Sequence, residues 1–180
     1  EGRDVGRHEV ATPLAGVLSQ AGAKALDDLI EARRWDIYKD PFEDEAAFTS
    51  YLERTAGGVL FAASDALGTA DMTAAQHAGF AAGLAGFFQA IPALEAAKRI
   101  PLLDGRHSAI AALADQGLAR LKQARTTRRA LQKDACVSLW QAEPILKQAA
   151  RDPAAVSEGR LDVPAITSSL RLTQASLLGR

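Results

Sequence analysis

Over residues 72–94 the chain runs between Asp71 and Glu95 without a charged side chain. A run of that length is either a helix buried on nearly every side or a membrane span, since about 20 residues rising ~1.5 Å each cross a hydrocarbon core. Its composition favours the buried helix. Ala and Gly dominate, and Gln76, His77, Gln89 and Pro92 are included, residues that enter lipid far less readily than Leu, Ile or Phe. Gly79, Gly83 and Gly86, with many alanines, strip bulk from the surface and let neighbouring helices come close to the backbone. The run predicts a central helix within an all-α domain.

A chain of 180 residues is expected to form one domain, residues 1–180, large enough to bury a core. With 21 basic against 22 acidic residues it has no overall field to attract nucleic acid, so nucleic acid is not an expected partner and any charge-based role must be local. A single cysteine rules out an internal disulfide framework and fits a reducing compartment. The amino terminus carries no basic, apolar, small-residue leader, and a cytoplasmic setting, peripheral to a membrane at most, is expected. The absence of an initiator Met reads as a fragment of a longer chain.

The pattern reads as helix after helix. Thr12-Pro13 predicts a start and Gly22 a stop for a short first helix. A second, over 23–38, repeats Leu26, Leu29, Ile30, Arg33 and Ile37 at three- and four-residue steps and ends before Pro41. Asp44 is placed to cap a long third helix ending at Gly68. Gly57-Gly58 in its middle cost about 1 kcal/mol each relative to Ala, so something must approach the backbone there. After the central helix and a turn at Asp104-Gly105, a fifth helix covers 107–125. A sixth carries Leu131, Ala135, Leu139, Ala142 and Leu146, kinked or ended by Pro144, and a last one spans about 165–178. No alternating strand pattern and no internal repeat is found.

Self-contained chemistry is scarce. His8, His77 and His107 have no ligand spacing between them, and Cys136 sits in an apolar setting that suits packing better than catalysis. Phosphate-cradling loops and serine-hydrolase motifs are absent. Trp35 and Trp140 occupy apolar positions of their helices and read as core.

Three blocks, residues 29–36 (LIEARRWD), 51–59 (YLERTAGGV) and 86–103, resemble consecutive blocks of the squalene/phytoene synthase family in order and spacing. The resemblance implies an all-α isoprenoid-synthase-type bundle around a deep apolar cavity, with this chain covering the C-terminal two-thirds and lacking the N-terminal helices. Active members couple two prenyl diphosphates head to head, holding them with Mg²⁺ on two aspartate-rich motifs. Two carboxylates four apart share one helix face and can hold ions that neutralise a departing diphosphate. At the two positions of the second motif this chain has Ala90 and Leu94, which cannot bind metal, and Glu95 is one residue out of phase. The first motif would precede Glu1. The segments 88–92 and 100–102 instead resemble a degenerate branch, which includes bacterial relatives and the mitochondrial assembly factor for respiratory complex I. That branch implies a protein without catalytic residues or cofactor that binds an isoprenoid or lipid, or a protein partner at a membrane surface. The alternative is a Mg²⁺-dependent prenyltransferase of carotenoid or hopanoid synthesis.

Within this frame the cavity or ligand-binding candidates are Tyr51, Ala56, Gly57, Gly83, Phe87 and Gln89. The small residues at 56–58 suit either a flat ligand lying on the backbone or tight helix packing. Arg33, Arg34, Lys98 and Arg99 are the anion-binding candidates, with solvated surface charge as the plain alternative. The basic stretch of Lys122, Arg125, Arg128, Arg129 and Lys133 has the same two readings. A truncated bundle would expose apolar surface, so a homodimer is a further expectation.

Overall fold

The uncharged run forms one long helix in the computed structural model, which describes residues 8–126, 130–162, 169, 172 and 173. The elements are α1 (Ala11–Val17), α2 (Gln20–Ala32), α3 (Glu45–Leu52), α4 (Gly58–Ala66), α5 (Met72–Ala96), α6 (His107–Thr126), α7 (Lys133–Cys136), α8 (Ala142–Arg151) and α9 (Ala154–Ser157). Short 3₁₀ turns follow α2 (Arg33–Asp36) and α7 (Val137–Leu139), and a π-helical turn, Glu53–Gly57, joins α3 to α4. Among the described residues there is no strand, only an isolated bridge between Ala70 and Leu131. The described residues are all-α, as the resemblance implies.

Asp44 caps its helix as expected, and Asp71 caps α5 in the same way. Asp44 accepts from the Ala47 amide at 2.7 Å and Asp71 from the Ala74 amide at 2.8 Å, each satisfying an orphan donor of its first turn. Gly68, at φ +106°, ends the helix before α5. Helix α5 runs through Pro92 for one further turn, and the ring of Pro92 packs where Gly159 has no side chain.

Helix α5 lies at the centre. It packs on the π-helical turn, α4, α6, α8 and α9. Phe80, Leu84, Phe88 and Ile91 on α5 join Leu52, Ile110, Ile145, Leu146 and Val156 in the main core, while Ala25, Phe61 and Ala75 form a second, smaller cluster. Burying such side chains contributes about 1.5–3 kcal/mol each, and eight of the residues fully enclosed here are aliphatics or phenylalanines drawn from four separate helices. Length and composition alone would also let α5 cross a membrane, but half of it is covered by the other helices.

The glycine expectation holds at one site and fails at another. A Cβ on Gly79 would stand 2.2 Å from the Gly57 N and Cα, so α5 and the π-helical turn meet backbone to backbone. Gly86, by contrast, faces open space, and no helix among the described residues uses the room it leaves.

Three boundaries differ from the expected ones. Gly22 does not close a first helix; Ser19 caps α2 three residues earlier, accepting from the Gly22 amide and donating to Asp65 on α4, so Gly22 lies buried in a first turn. The second helix stops at Ala32 rather than continuing to residue 38, because the chain tightens into a 3₁₀ turn over Arg33–Asp36. The sixth helix is not continuous. It divides into α7, a 3₁₀ turn and α8, and Pro144 occupies the first turn of α8, where a missing N–H costs nothing. The expected helix at 165–178 falls, except for positions 169, 172 and 173, outside the described residues.

Gly79→Ala is expected to destabilise the fold by about 3 kcal/mol or more, since a methyl group has backbone rather than a movable side chain to displace. Gly86→Ala is expected to stabilise it by about 0.5–1 kcal/mol. Denaturant unfolding of the two variants beside the parent chain measures both.

Candidate functional site

The anion-binding candidates gather at one end of α5, around the turn that follows α2. Trp35 stacks on Phe42 at 4.1 Å between ring centroids, and Phe48, Tyr51 and Phe87 lie 5.0–5.3 Å from their nearest ring neighbours in the same cluster. These rings come from α3, α5 and the stretch between α2 and α3. Onto this layer Arg99 folds back. Its guanidinium lies 3.9 Å from the Trp35 ring centroid and donates to the carbonyls of Trp35 (2.7 Å), Asp36 (2.9 Å) and Tyr38 (2.6 Å). Cation–π contact and charge-assisted bonds to three successive-turn carbonyls make it the clasp between the end of α5 and residues 35–38. The Arg99 Nε and Trp35 Nε1 atoms are buried there without a partner.

Arg99 can turn back because Lys98 just before it adopts φ +60°, the left-handed cap of α5, with the Arg99 amide bonded to the Leu94 carbonyl at 3.0 Å and the Lys98 amide to Glu95 at 2.8 Å. Glycine usually stands at such a position. Beneath the clasp, Tyr51 donates its hydroxyl to Asp36 at 2.8 Å, and Arg33 bridges to both Asp36 (3.0 Å) and the Tyr51 oxygen (3.1 Å). Burial first of all, and then the bond to Asp36, push the Tyr51 phenol up to about 12, against the opposing pull of Arg33.

Tyr51, Phe87, Arg33 and Arg99 are thus brought together. Arg34 pairs outward with Glu31, and Lys98 is exposed. The remaining cavity candidates lie elsewhere. Gly57 is covered by Ala75, Gln76 and Gly79 of α5, while Gly83 faces Ala56 and Leu52. Gln89 is on the exposed side, its amide donating to the Leu161 carbonyl at 3.3 Å. Of the basic stretch, Arg125 pairs with Glu143 at 2.8 Å, and Arg128 and Arg129 lie outside the described residues. Cys136 is half-buried, and burial raises its thiol above the ordinary value.

A second polar contact was not visible in the sequence. Arg120 on α6 donates to Glu53 in the π-helical turn, and its guanidinium lies 4.4 Å from the Phe80 ring centroid. The partners are 67 residues apart, and each is one charge among many. Asp36 likewise carries no sequence signal of its bonds to Tyr51 and Arg33. The π-helical turn itself, of a kind frequent at functional sites, follows from the two adjacent glycines only in retrospect.

Ala90 and Leu94 are half-buried on α5, and Glu95 is exposed. Among the described residues no three His, Cys, Asp or Glu side chains come together to hold a metal ion. A magnesium ion of the kind the resemblance implies therefore does not fit the residues at this end of α5. Close by is a pocket of about 290 Å³, whose apolar wall includes Ile91, Leu102, Ile110 and Val156, with Glu95 and Arg99 as its charged groups.

A family model described as squalene/phytoene synthase matches residues 2–103, more than half of the 180-residue chain. No curated protein and no solved structure matches it.

Two measurements check this geometry. Tyr38→Phe leaves Tyr51 as the sole tyrosine, and its absorbance titration should have a midpoint of about 12 rather than the ordinary 10.0. The raised folded value means the unfolded chain loses its phenolic proton first. Stability from this group is therefore complete below about pH 10 and lost as pH rises toward 12, a loss that Tyr51→Phe should remove. Lys98→Gly should raise stability by about 1 kcal/mol in thermal unfolding, by relieving the left-handed backbone.

Proposed function

As the chain belongs to the squalene/phytoene synthase family, we propose that it is a non-catalytic member, binding a lipid or isoprenoid and serving assembly of a complex at a membrane surface. The observation that carries this reading is the pair Ala90 and Leu94. Loss of a diphosphate leaves negative charge that a metal held on paired carboxylates must offset, and an alanine and a leucine supply no oxygen ligand. Glu95 does not replace them. One residue along a helix turns the side chain by roughly 100°, away from the face that positions 90 and 94 share.

Two further observations support it. The small-residue face of the second block is filled by the α5 backbone, and the turn beside it carries the Glu53–Arg120 ion pair. The apolar pocket at the end of α5, about 290 Å³, lies at the lower edge of small-molecule sites, roughly 300–1,000 Å³. Its hydrocarbon wall suits the end of an acyl or prenyl chain.

The test is calorimetry of the full chain with farnesyl and geranylgeranyl diphosphate, with and without Mg²⁺, followed by mass spectrometry of the mixture. Binding indifferent to magnesium and no C30 or C40 hydrocarbon is the expected result. A coupled product that appears only with magnesium overturns the reading.

A further inference from the structure

The pocket at the end of α5 has an apolar floor and a mixed rim. Ile91, Ile110 and Val156, each at most 3% exposed, form the floor beside buried Pro101. Glu95, Ile100, Gly105 and Ser157 stand exposed around the opening. Two of the lining residues are charged, and they are not equivalent. The Arg99 guanidinium gives Nη1 to the Asp36 carbonyl and Nη2 to those of Trp35 and Tyr38, while its Nε is buried. It faces the turn after α2 and is spent there. Ser157 donates its hydroxyl to the Ala154 carbonyl at 3.2 Å. The Glu95 carboxylate, by contrast, has no hydrogen bond or ion pair among the described residues.

The charges around the pocket cancel. Besides His107, residues 91–110 and 152–160 carry Lys98, Arg99, Arg106 and Arg160 against Glu95, Asp104, Asp152 and Glu158, four of each sign. Asp104 pairs with Arg106, and Arg160 with both Asp152 and Glu158. Selection between ligands therefore comes from the groups a ligand touches, not from a broad field. Lys98 is exposed and does not line the pocket. Glu95 also lies in the last turn of a 25-residue helix, whose C-terminal carbonyls carry about half a negative charge.

We infer that this pocket takes an aliphatic or prenyl chain headed by a protonated amine, the chain end on Ile91, Ile110 and Val156 and the ammonium against Glu95. The inference rests on the ligand-binding part of the function proposed above and names the head group for it. A diphosphate head would meet an unpaired carboxylate and the negative end of α5, with no lining cation free to receive it. An alcohol can donate to Glu95 but brings no charge to the bond. Because the rim is exposed, the preference for the amine is modest and falls with salt.

The experiment is calorimetry of the full chain with geranylamine, geraniol and geranyl diphosphate, without magnesium and below the concentrations at which they form micelles. The three share one prenyl chain and differ only at the head. Geranylamine is expected to bind about fivefold more tightly than geraniol, and geranyl diphosphate more weakly than both. Glu95→Gln should bring the amine down to the level of the alcohol, and Glu95→Lys should place the diphosphate first. Position 95 is exposed, and circular dichroism checks that the helices remain. Lys98→Gln serves as control and should leave the order unchanged.

Equal affinities, or diphosphate binding tighter than that of the amine, overturn the inference and leave the lipid- or isoprenoid-binding reading standing. An amine preference that Glu95→Gln does not move overturns it in the same way. Failure of all three to bind overturns the inference together with the ligand-binding reading. The non-catalytic reading is decided separately, by whether a magnesium-dependent product forms.

Discussion

The contact on which the other packing depends is the one with no side chain in it, Gly79 of α5 against Gly57 in the π-helical turn. Glycine inside a helix costs about 1 kcal/mol relative to alanine, and that cost is accepted here twice over because the two backbones can then approach within the reach of one methyl group. Gly58, next in line, faces the carbonyl of Ala25 on α2 at 3.1 Å from where its Cβ would be. Helices α2 and α5 are thus drawn onto opposite sides of one short segment. The buried phenylalanines and leucines of α5 then meet α6 and α8 on the other face.

That closeness bears on function. The 51–59 block would border a cavity in the arrangement implied by the family resemblance, and small residues there have two uses, to receive a flat ligand or to receive another helix. In this chain the α5 backbone occupies the space beside Gly57, and Arg120 from α6 reaches Glu53 one turn away. A partly buried ion pair of this kind is costly to break from one side, since the remaining charge is left without its partner. Among the described residues an apolar pocket lies at the far end of α5, beside Ile91 and Ile110.

The end of α5 shows how electrostatics and strain combine in one turn. A lysine in the left-handed conformation is disfavoured, yet it turns the chain so that Arg99 lies over Trp35 and reaches three carbonyls. Arginine is suited to this role because its planar, delocalised cation both stacks and donates in several directions. The aromatic layer below is in turn fixed by Tyr51, whose hydroxyl is committed to Asp36 and Arg33. The turn after α2, lacking a buried helix of its own, is held in place by these bonds.

Much of the fold was legible because its signals are local. Asp44 caps the helix it was expected to cap, Gly68 ends the helix before α5, and an uncharged run flanked by acids becomes the central helix. The family blocks and the absence of paired carboxylates at positions 90 and 94 are equally properties of the chain read in one dimension. Gly22, the 3₁₀ turn at Arg33 and the break within 131–146 were misjudged because each depends on a neighbour: Ser19 bonds Asp65 on α4, and Arg99 draws the turn after α2 toward α5. The candidate site divides the same way. Sequence alone determined which side chains are available and which of them share a helix face, since those follow from residue identity and helical phase. Only the tertiary structure decided that Tyr51 and Arg99 share one cluster while Gly57 is covered and Gln89 looks outward. Contacts between residues tens of positions apart are set by how helices pack, which no local pattern encodes.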